Sequence, residues 1–336
     1  MSNGGLGSPL LAVEDLEVCF ATEHGMVPVV HGLSFDVGAG EIVGLVGESG
    51  CGKSVTSLAI MRLIPNPPGR ITAGRILFEG GDLLSLPERE MRALRGNRIS
   101  MIFQEPMTSL DPAFKVGEQI ASAVRHHRGV SKAAAWERAI EALDLVGIPS
   151  ARQRARDYPH MFSGGMQQRV MIAIALACDP AVLIADEPTT SLDVTIQAQV
   201  LDLLRSLQQD LGMAVIFVTH DLGVVSALCD RVVVMYAGQA VERAPTDQFF
   251  AQPGHPYTEG LLECLPAEHA GEKLQPIPGT VPPVDDMPPG CLFHPRCRYC
   301  VSGRCDQEPV PFVPISPDRA ARCVRVNELT LAGIDP

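Results

Sequence analysis

The chain has 336 residues, of which 27 are Lys or Arg and 39 are Asp or Glu, so its formal net charge is −12. This acidic balance argues against a surface that binds nucleic acid by neutralising its phosphates. No apolar run reaches the roughly 18 residues that suggest a membrane span, and residues 1–10 lack a basic start and an apolar signal core. We expect a soluble, cytoplasmic protein with one large α/β domain and a smaller appendage.

The first strong pattern is a strand followed by a glycine-rich loop and a helix. Residues 11–20 and 29–37 alternate apolar and polar positions, which predicts two strands, and the apolar run 42–46 predicts a buried strand. A segment that fits GxxxxGK(S/T) follows, and a helix is expected from Gly52 to about Leu63. The eight residues of that segment are Gly47, Glu48, Ser49, Gly50, Cys51, Gly52, Lys53 and Ser54.

This context predicts a phosphate-binding loop. Glycines let successive backbone N–H groups turn toward an anion, and the start of the following helix adds the positive end of its dipole. Lys53 is expected to reach the terminal phosphates of a nucleotide, and Ser54 is expected to hold Mg²⁺.

The pattern changes to helical spacing over about residues 91–178, which predicts a mostly helical insertion. Within it, Ser163, Gly164 and Gly165 begin a helix whose first turn offers a hydroxyl and bare glycine N–H groups, a second anion site. One triphosphate hardly needs two helix N-termini from the same chain. We therefore expect the second site to serve a nucleotide held by a partner.

Two further buried strands are predicted at residues 181–185 and 214–218, with a crossover helix at 196–208 between them. The first of these strands is followed by two carboxylates. Asp186 is predicted to anchor Mg²⁺, directly or through water, and Glu187 to polarise the attacking water.

Past about residue 247 the chain becomes rich in proline, and more than half of its 28 prolines lie there. We expect an extended connection that leads into a small module stapled by metal. Five of the ten cysteines lie between Cys291 and Cys323, and such crowding in a cytosolic protein indicates metal binding before disulfides. The other five, at positions 19, 51, 178, 229 and 264, are expected to be small core residues.

These motifs, in this order, resemble the nucleotide-binding subunit of an ABC transporter over about residues 11–250. The order is the phosphate loop, Gln104, the Ser-Gly-Gly segment, the Asp-Glu pair, residues 191–193 and His220. The resemblance implies an ATPase with a mixed sheet core, an antiparallel β subdomain and a helical subdomain. It further implies that Gln104 touches Mg²⁺ or the attacking water, that Asp193 lies across a dimer interface, and that His220 contacts the γ-phosphate. Phe20 matches the aromatic position that stacks on adenine, where Tyr is commoner.

Four segments narrow the resemblance to the ATPase subunits of oligopeptide and dipeptide importers, and nearly the whole chain then lies within one family. They are Phe162 and Met166, which flank the Ser-Gly-Gly segment, residues 103–112, residues 255–258, and residues 290–297 after the proline-rich run. The resemblance implies a domain at 1–250 and a C-terminal extension at 251–336. It also implies that this chain lies peripherally on the cytoplasmic face of the inner membrane and has four partners: a second homologous ATPase that forms a heterodimer, two transmembrane permeases and an extracytoplasmic binding protein.

Cys291, Cys297, Cys305 and Cys323 are spaced so that four thiolates can converge on one centre, either Zn²⁺ or a [4Fe–4S] cluster. The spacing does not choose between them. The family resemblance favours the cluster over zinc, and uncoordinated thiols stay open as a third alternative. Cys300 is a fifth thiol that could substitute for Cys297 or Cys305. A structural role for the metal is expected, since the proline-rich tail is too small to bury its own core.

The sequence thus predicts an ATPase subunit that binds Mg·ATP and powers peptide uptake. Three alternatives stay open: an importer of nickel or another small solute, a soluble ABC ATPase that acts on ribosomes or DNA, and a P-loop kinase. A kinase would share Lys53 and Ser54 but would have no use for the Ser-Gly-Gly segment or for His220.

Overall fold

The computed structural model describes residues 8–23, 25–104, 109–190, 192–265 and 276–334. Within those ranges, no helix combines the length and apolar character needed to cross a membrane. The strands are β1 (Leu11–Thr22), β2 (Gly25–Val37), β3 (Ile42–Val46), β4 (Gly69–Phe78), β5 (Gly81–Asp82), β6 (Ile99–Ile102), β7 (Val182–Asp186), β8 (Ala214–Thr219), β9 (Arg231–Tyr236), β10 (Gln239–Pro245), β11 (Val313–Ser316) and β12 (Arg319–Ala321).

Helices lie in the predicted segments 52–63 and 196–208, with ends that differ from the predicted ones by up to three residues, and a helix begins at the Ser-Gly-Gly segment as expected. The helices are α1 (Lys53–Ile60), α2 (Glu88–Leu94), α3 (Val116–Arg128), α4 (Lys132–Leu145), α5 (Ala151–Arg154), α6 (Gly164–Leu176), α7 (Val194–Leu211), α8 (Leu222–Leu228), α9 (Thr246–Ala251) and α10 (Pro256–Leu262). Short 3₁₀ turns occupy Pro159–Met161 and His294–Arg296.

The chain divides into two units, and the first comprises the described parts of 37–41 and 85–217. Its strands β6 and β7 are parallel, with Ile99 opposite Val182 and Ile102 opposite Ala185, and β8 flanks β7 on its other side. All five residues of β7 are buried, which is typical of a parallel strand. Strand β6 lies within the range 91–178 that the sequence pattern predicts to be mostly helical.

The helical part of this unit runs from α3 to α6, and its helix ends are set by local sequence. The Ser131 side chain accepts a hydrogen bond from the Ala134 N–H at the start of α4. Helix α3 ends at Gly129, whose φ of 62° is the left-handed conformation that glycine adopts most readily.

The second unit comprises the described parts of 9–36, 42–84 and 218–336. One of its sheets has the strand order β2-β1-β4-β5, with β1 and β4 antiparallel and Phe20 opposite Gly69. A further set of strands follows the order β11-β12-β10-β9-β3, in which β3 and β9 are parallel and β9 and β10 antiparallel.

The C-terminal region contributes to this second set of strands. Strand β12 pairs with β10, with Glu242 opposite Ala321, and β11 pairs with β12. Residues beyond the proposed boundary near residue 250 therefore belong to the same unit as the glycine-rich loop.

Glu242 on β10 is a fully buried carboxyl. It accepts hydrogen bonds from the Gly254 N–H at 2.6 Å and from the His255 N–H at 2.9 Å. Burial raises the pKa of this carboxyl from 4.5 to about 7, because the charged form loses its hydration. The folded state therefore binds this proton more tightly than the unfolded chain does.

We expect Glu242 to make the free energy of unfolding depend on pH. Its contribution is fully present below about pH 4.5 and is lost as pH rises through about 7, since the folded carboxyl must then ionise while buried. Glu242→Gln cannot ionise, so its stability relative to wild type should increase from pH 5 to pH 8, by up to about 3 kcal/mol. Urea unfolding at each pH measures this, with the exposed Glu90→Gln as control; parallel profiles for wild type and Glu242→Gln would contradict it.

Candidate functional site

The glycine-rich loop follows β3 and is shaped by left-handed backbone at Gly47, Gly50 and Gly52, whose φ values are 151°, 82° and 100°. At Gly47 the constraint is also steric. A Cβ there would lie 2.2 Å from the Met235 carbonyl oxygen and 2.8 Å from Cys51 Sγ. Only glycine fits this position, because a backbone carbonyl of β9 occupies the space of a side chain.

Lys53 is the first residue of α1 and is 5% exposed. Its ammonium group donates to the carbonyl of Gly47 at 2.7 Å and to that of Glu48 at 3.0 Å. The cation is therefore folded back on its own loop. A phosphate oxygen would compete for these donors, so the arrangement can exchange carbonyl contacts for an anion.

Two other predicted residues of this unit lie on different elements. Phe20 is half-buried on β1, and its ring packs against Gly69, where an added Cβ would lie 2.8 Å from the ring. His220 is exposed directly after β8. The next residue, Asp221, caps α8 by accepting from the Gly223 N–H at 2.9 Å, which fixes the chain beside His220.

In the first unit, the parallel register of β6 and β7 brings Gln104 to Glu187. Each lies two residues beyond the paired positions Ile102 and Ala185. Gln104 Nε2 donates to Glu187 Oε2 at 3.0 Å, and Thr190 Oγ1 donates to the same oxygen at 2.9 Å.

The two carboxylates at the end of β7 differ in exposure and in backbone conformation. Asp186 ends the strand and is 4% exposed. Glu187 has a φ of 46°, an uncommon conformation for a residue with a side chain. Such backbone persists where the surrounding structure holds it, and it turns the Glu187 side chain toward Gln104 and Thr190.

The Ser-Gly-Gly segment forms the start of α6. Ser163 and Gly164 are exposed, and the Ser163 hydroxyl does not cap the helix that it precedes. A Cβ on Gly165 would lie 2.7 Å from Ile196 of α7, so this glycine allows two helices to approach closely. Ser163 and Lys53 belong to different units of the chain.

Asp193 is the N-cap residue of α7. Its side chain accepts from the Ile196 N–H at 2.9 Å and so caps α7. Ser191 and residues 105–108, which belong to two of the motifs, lie outside the described residues.

The four C-terminal cysteines of the predicted metal site line one cavity of about 20 Å³, together with His255 and His294. Cys300 is exposed and is not among the residues that line it. Burial raises the pKa of the Cys291 thiol to about 11 and that of Cys297 to about 12. Over the described ranges, no group of three or more His, Cys, Asp or Glu side chains is arranged to hold a single metal ion.

The other five cysteines are mostly core residues, as expected. Cys19, Cys51, Cys178 and Cys229 are buried, and Cys264 is partly exposed.

The sequence patterns did not single out three side chains that contact the site residues. Thr190 donates to Glu187, Tyr257 accepts a hydrogen bond from the Glu48 N–H at 2.9 Å, and Arg296 pairs with the Glu48 carboxylate. Tyr257 and Arg296 lie in the segments 255–258 and 290–297 that carry the subfamily resemblance. That resemblance was the only signal that could have found them.

Two family models match the chain. An ABC transporter model matches residues 30–190, and a model of the oligopeptide/dipeptide transporter C-terminal region matches residues 241–305.

Curated relatives are similar over nearly the full length. The oligopeptide transport ATP-binding protein OppD of Salmonella typhimurium is 50% identical over 322 residues, 95% of this chain and 95% of its own. OppD of Bacillus subtilis is 53% identical over 90% of this chain and 85% of its own. A probable peptide ABC transporter ATP-binding protein of Sinorhizobium fredii is 51% identical over 95% of this chain and 96% of its own.

Solved structures show the fold. A dimeric ATP-binding cassette in a post-hydrolysis state, bound to ADP and phosphate, aligns with a TM-score of 0.63 at 26% identity, covering 70% of this chain and 98% of its own. A subunit from a Clostridium perfringens ABC transporter complex aligns with a TM-score of 0.61 at 27% identity, covering 72% and 90%. The expected mixed α/β fold with antiparallel and helical parts is confirmed, and the chain belongs to the family of ATP-binding subunits of oligopeptide and dipeptide ABC transporters.

Proposed function

We propose that this chain is the ATP-hydrolysing subunit of an importer that takes up peptides across the cytoplasmic membrane. The observation that supports this most is the pairing of Gln104 with Glu187 at the ends of β6 and β7, in a chain about 50% identical to proteins named as peptide import ATP-binding proteins. The ABC transporter match accounts for ATP hydrolysis.

The assigned roles follow the chemistry of each group. Backbone N–H groups of residues 47–53 bind phosphate oxygens, and Lys53 moves its ammonium from the Gly47 and Glu48 carbonyls to the terminal phosphates. Ser54 would hold Mg²⁺, and Asp186 would anchor it directly or through water; the bound ion would neutralise phosphate charge. Phe20 stacks on the adenine, and His220 donates to the γ-phosphate.

Glu187 acts as the general base that accepts a proton from the attacking water. Its carboxylate is oriented by Gln104 and Thr190, which both donate to its Oε2 atom. Gln104 is exposed, so it can also report the state of this site to a permease.

Glu187→Gln should leave ATP binding intact and lower hydrolysis by at least about 100-fold, since the amide cannot accept the proton. Thr190→Val is a matched comparison, because it removes one donor but keeps the carboxylate; its loss of turnover should be smaller. Equilibrium nucleotide binding and single-turnover hydrolysis measure the two effects. Undiminished turnover in Glu187→Gln would refute its assignment as base.

The exposed Ser163 hydroxyl and the bare N–H groups of Gly164 and Gly165 complete the nucleotide site of a second ATPase subunit. The Ser163 hydroxyl does not cap its own helix, and its side chain is exposed. Asp193, at the exposed start of α7, contacts the same partner across the interface. We propose a head-to-tail pair with a homologous ATPase, a heterodimer.

The shared site predicts which pairs of substitutions in the heterodimer inactivate the same site. When Ser163→Ala is combined with alanine at the phosphate-loop lysine of the partner ATPase, both changes fall in one composite site, and the other site stays intact. About half of the wild-type ATPase activity should then remain, provided that the sites act independently. This chain with both Lys53→Ala and Ser163→Ala, paired with the wild-type partner, serves as control, because it disables both composite sites. An inactive heterodimer of the first kind would show instead that Ser163 serves its own chain.

The partners in transport are proposed to be two transmembrane permeases and an extracytoplasmic peptide-binding protein, with this subunit bound to the cytoplasmic face of the membrane. The C-terminal region shared with oligopeptide and dipeptide transporters supports peptides over nickel or another small solute. It also supports a C-terminal extension that begins near residue 250. Co-purification of permeases from detergent-solubilised membranes tests this role, and recovery with ribosomes or DNA would favour a soluble ABC ATPase.

We propose that Cys291, Cys297, Cys305 and Cys323 bind a [4Fe–4S] cluster, with Zn²⁺ as the alternative. The donor set fits, because four thiols line one cavity. In a cluster each iron takes one thiolate, so the sulfurs lie farther apart than around one zinc ion. The cavity has room for about one water molecule, so binding must move these thiols apart and deprotonate them.

Anaerobically purified protein should contain about four iron atoms and matching acid-labile sulfide per chain. Cys305→Ser should lose most of this iron. Cys300→Ser should keep it, since Cys300 is exposed and outside the cavity. Metal analysis that finds about one zinc atom per chain would favour the alternative, and the absence of both metals would leave the thiols uncoordinated.

A further inference from the structure

A partly buried ion pair joins the C-terminal region to the glycine-rich loop. The two terminal nitrogens of Arg296 donate to the two carboxylate oxygens of Glu48 at 2.7 and 3.0 Å, which is the bidentate geometry of the strongest Arg–carboxylate pairs. The Arg296 side chain is 6% exposed and that of Glu48 is 28% exposed. Glu48 is the second residue of the loop, and Arg296 directly precedes Cys297.

Arg296 is itself held in place from several sides. Its Nε donates to the Pro278 carbonyl at 2.8 Å. Its guanidinium lies 5.7 Å from the centre of the Tyr236 ring and 5.9 Å from that of Phe293. A guanidinium fixed by a carbonyl and two rings loses little further freedom when it binds a carboxylate, so it is an effective anchor for Glu48.

The backbone of Glu48 is anchored as well. Its N–H donates to the Tyr257 hydroxyl at 2.9 Å, and its carbonyl accepts from Lys53. The rings of Tyr257, Tyr236 and Phe293 pack together, with centroids 4.8 to 5.3 Å apart. When Lys53 turns to a phosphate, the contacts of Glu48 with Tyr257 and Arg296 remain and keep the loop in its shape.

Besides holding Glu48 in place, Arg296 changes the electrostatics of the loop. A carboxylate inside a loop that binds a triphosphate would repel the anion, and repulsion between like charges is strong where water is scarce. The guanidinium compensates the Glu48 charge at contact distance. We propose that Arg296 is a positioning residue for nucleotide binding, which holds and neutralises Glu48 so that the folded C-terminal region sets the affinity of the loop for ATP. This inference rests on the proposed function of residues 47–54 as the phosphate-binding loop.

The test compares ATP affinity and turnover in full-length variants. Arg296→Met removes the positive charge and the two hydrogen bonds to the Glu48 carboxylate. It should weaken ATP binding about 10-fold, while kcat at saturating ATP stays within about 2-fold of the wild-type value. Arg296→Lys keeps the charge and should lose less affinity. The matched control is Arg304→Met, which breaks the exposed pair with Glu328 in the same C-terminal region and should bind ATP like wild type.

A double variant separates charge compensation from packing. Glu48→Gln combined with Arg296→Met removes both charges, so ATP affinity should recover to within about 3-fold of wild type. Loss of packing alone would not be rescued in this way. If Arg296→Met does not fold, as judged by thermal unfolding, the comparison of Arg296→Lys with Arg304→Met decides.

Two outcomes would overturn the inference. One is equal ATP affinity in wild type, Arg296→Met and Arg296→Lys; the other is an Arg296→Met defect that Glu48→Gln fails to relieve. Lys53→Ala distinguishes these from a failure of the proposed function. If Lys53→Ala binds ATP normally, the loop is not the phosphate site; if it loses ATP while Arg296→Met does not, only the role of Arg296 is wrong.

Discussion

The glycine-rich loop depends on one close approach, between Gly47 and the carbonyl of Met235. No side chain fits there, because a Cβ would lie 2.2 Å from that oxygen. Strand β3, whose five residues are all buried, holds one side of this approach, and β9, paired in parallel with β3, holds the other. The loop is therefore shaped by the sheet before any ligand arrives, which spares the binding step the cost of ordering it.

A parallel strand pair positions Gln104 and Glu187 in the same manner. The register of β6 and β7 fixes the distance between Gln104 and Glu187, and a left-handed residue at Glu187 aims its carboxylate. Side chains at the carboxyl ends of buried strands are held by the rest of the sheet, and this edge is the usual location of ligand sites in such folds. In both units, predicted site residues lie at or directly after the end of a buried, largely apolar strand.

Much of this could be predicted because the signals are local. The run Ile42–Val46 followed by a glycine-rich loop, and the run ending at Asp186, each encode a strand and its functional residues within a few positions. The contacts of Glu48 with Tyr257 and Arg296 could not be predicted from periodicity, because the partners lie 209 and 248 residues away. The residue pattern of the C-terminal region also does not reveal that β11 and β12 pair beside β10. The prolines and short apolar runs of this region are equally typical of an extended linker.

We propose that residues 47–54 bind a nucleotide through its phosphates. Equilibrium affinities of AMP, ADP and ATP with Mg²⁺, in wild type and in Lys53→Ala, test this role most directly. Affinity should rise with each added phosphate, by at least about 100-fold from AMP to ATP, the equivalent of two charge-assisted hydrogen bonds of about 1.5 kcal/mol each. Lys53→Ala should remove most of this rise. Equal affinities for the three nucleotides, or an unchanged rise in Lys53→Ala, would contradict the proposed role of the loop.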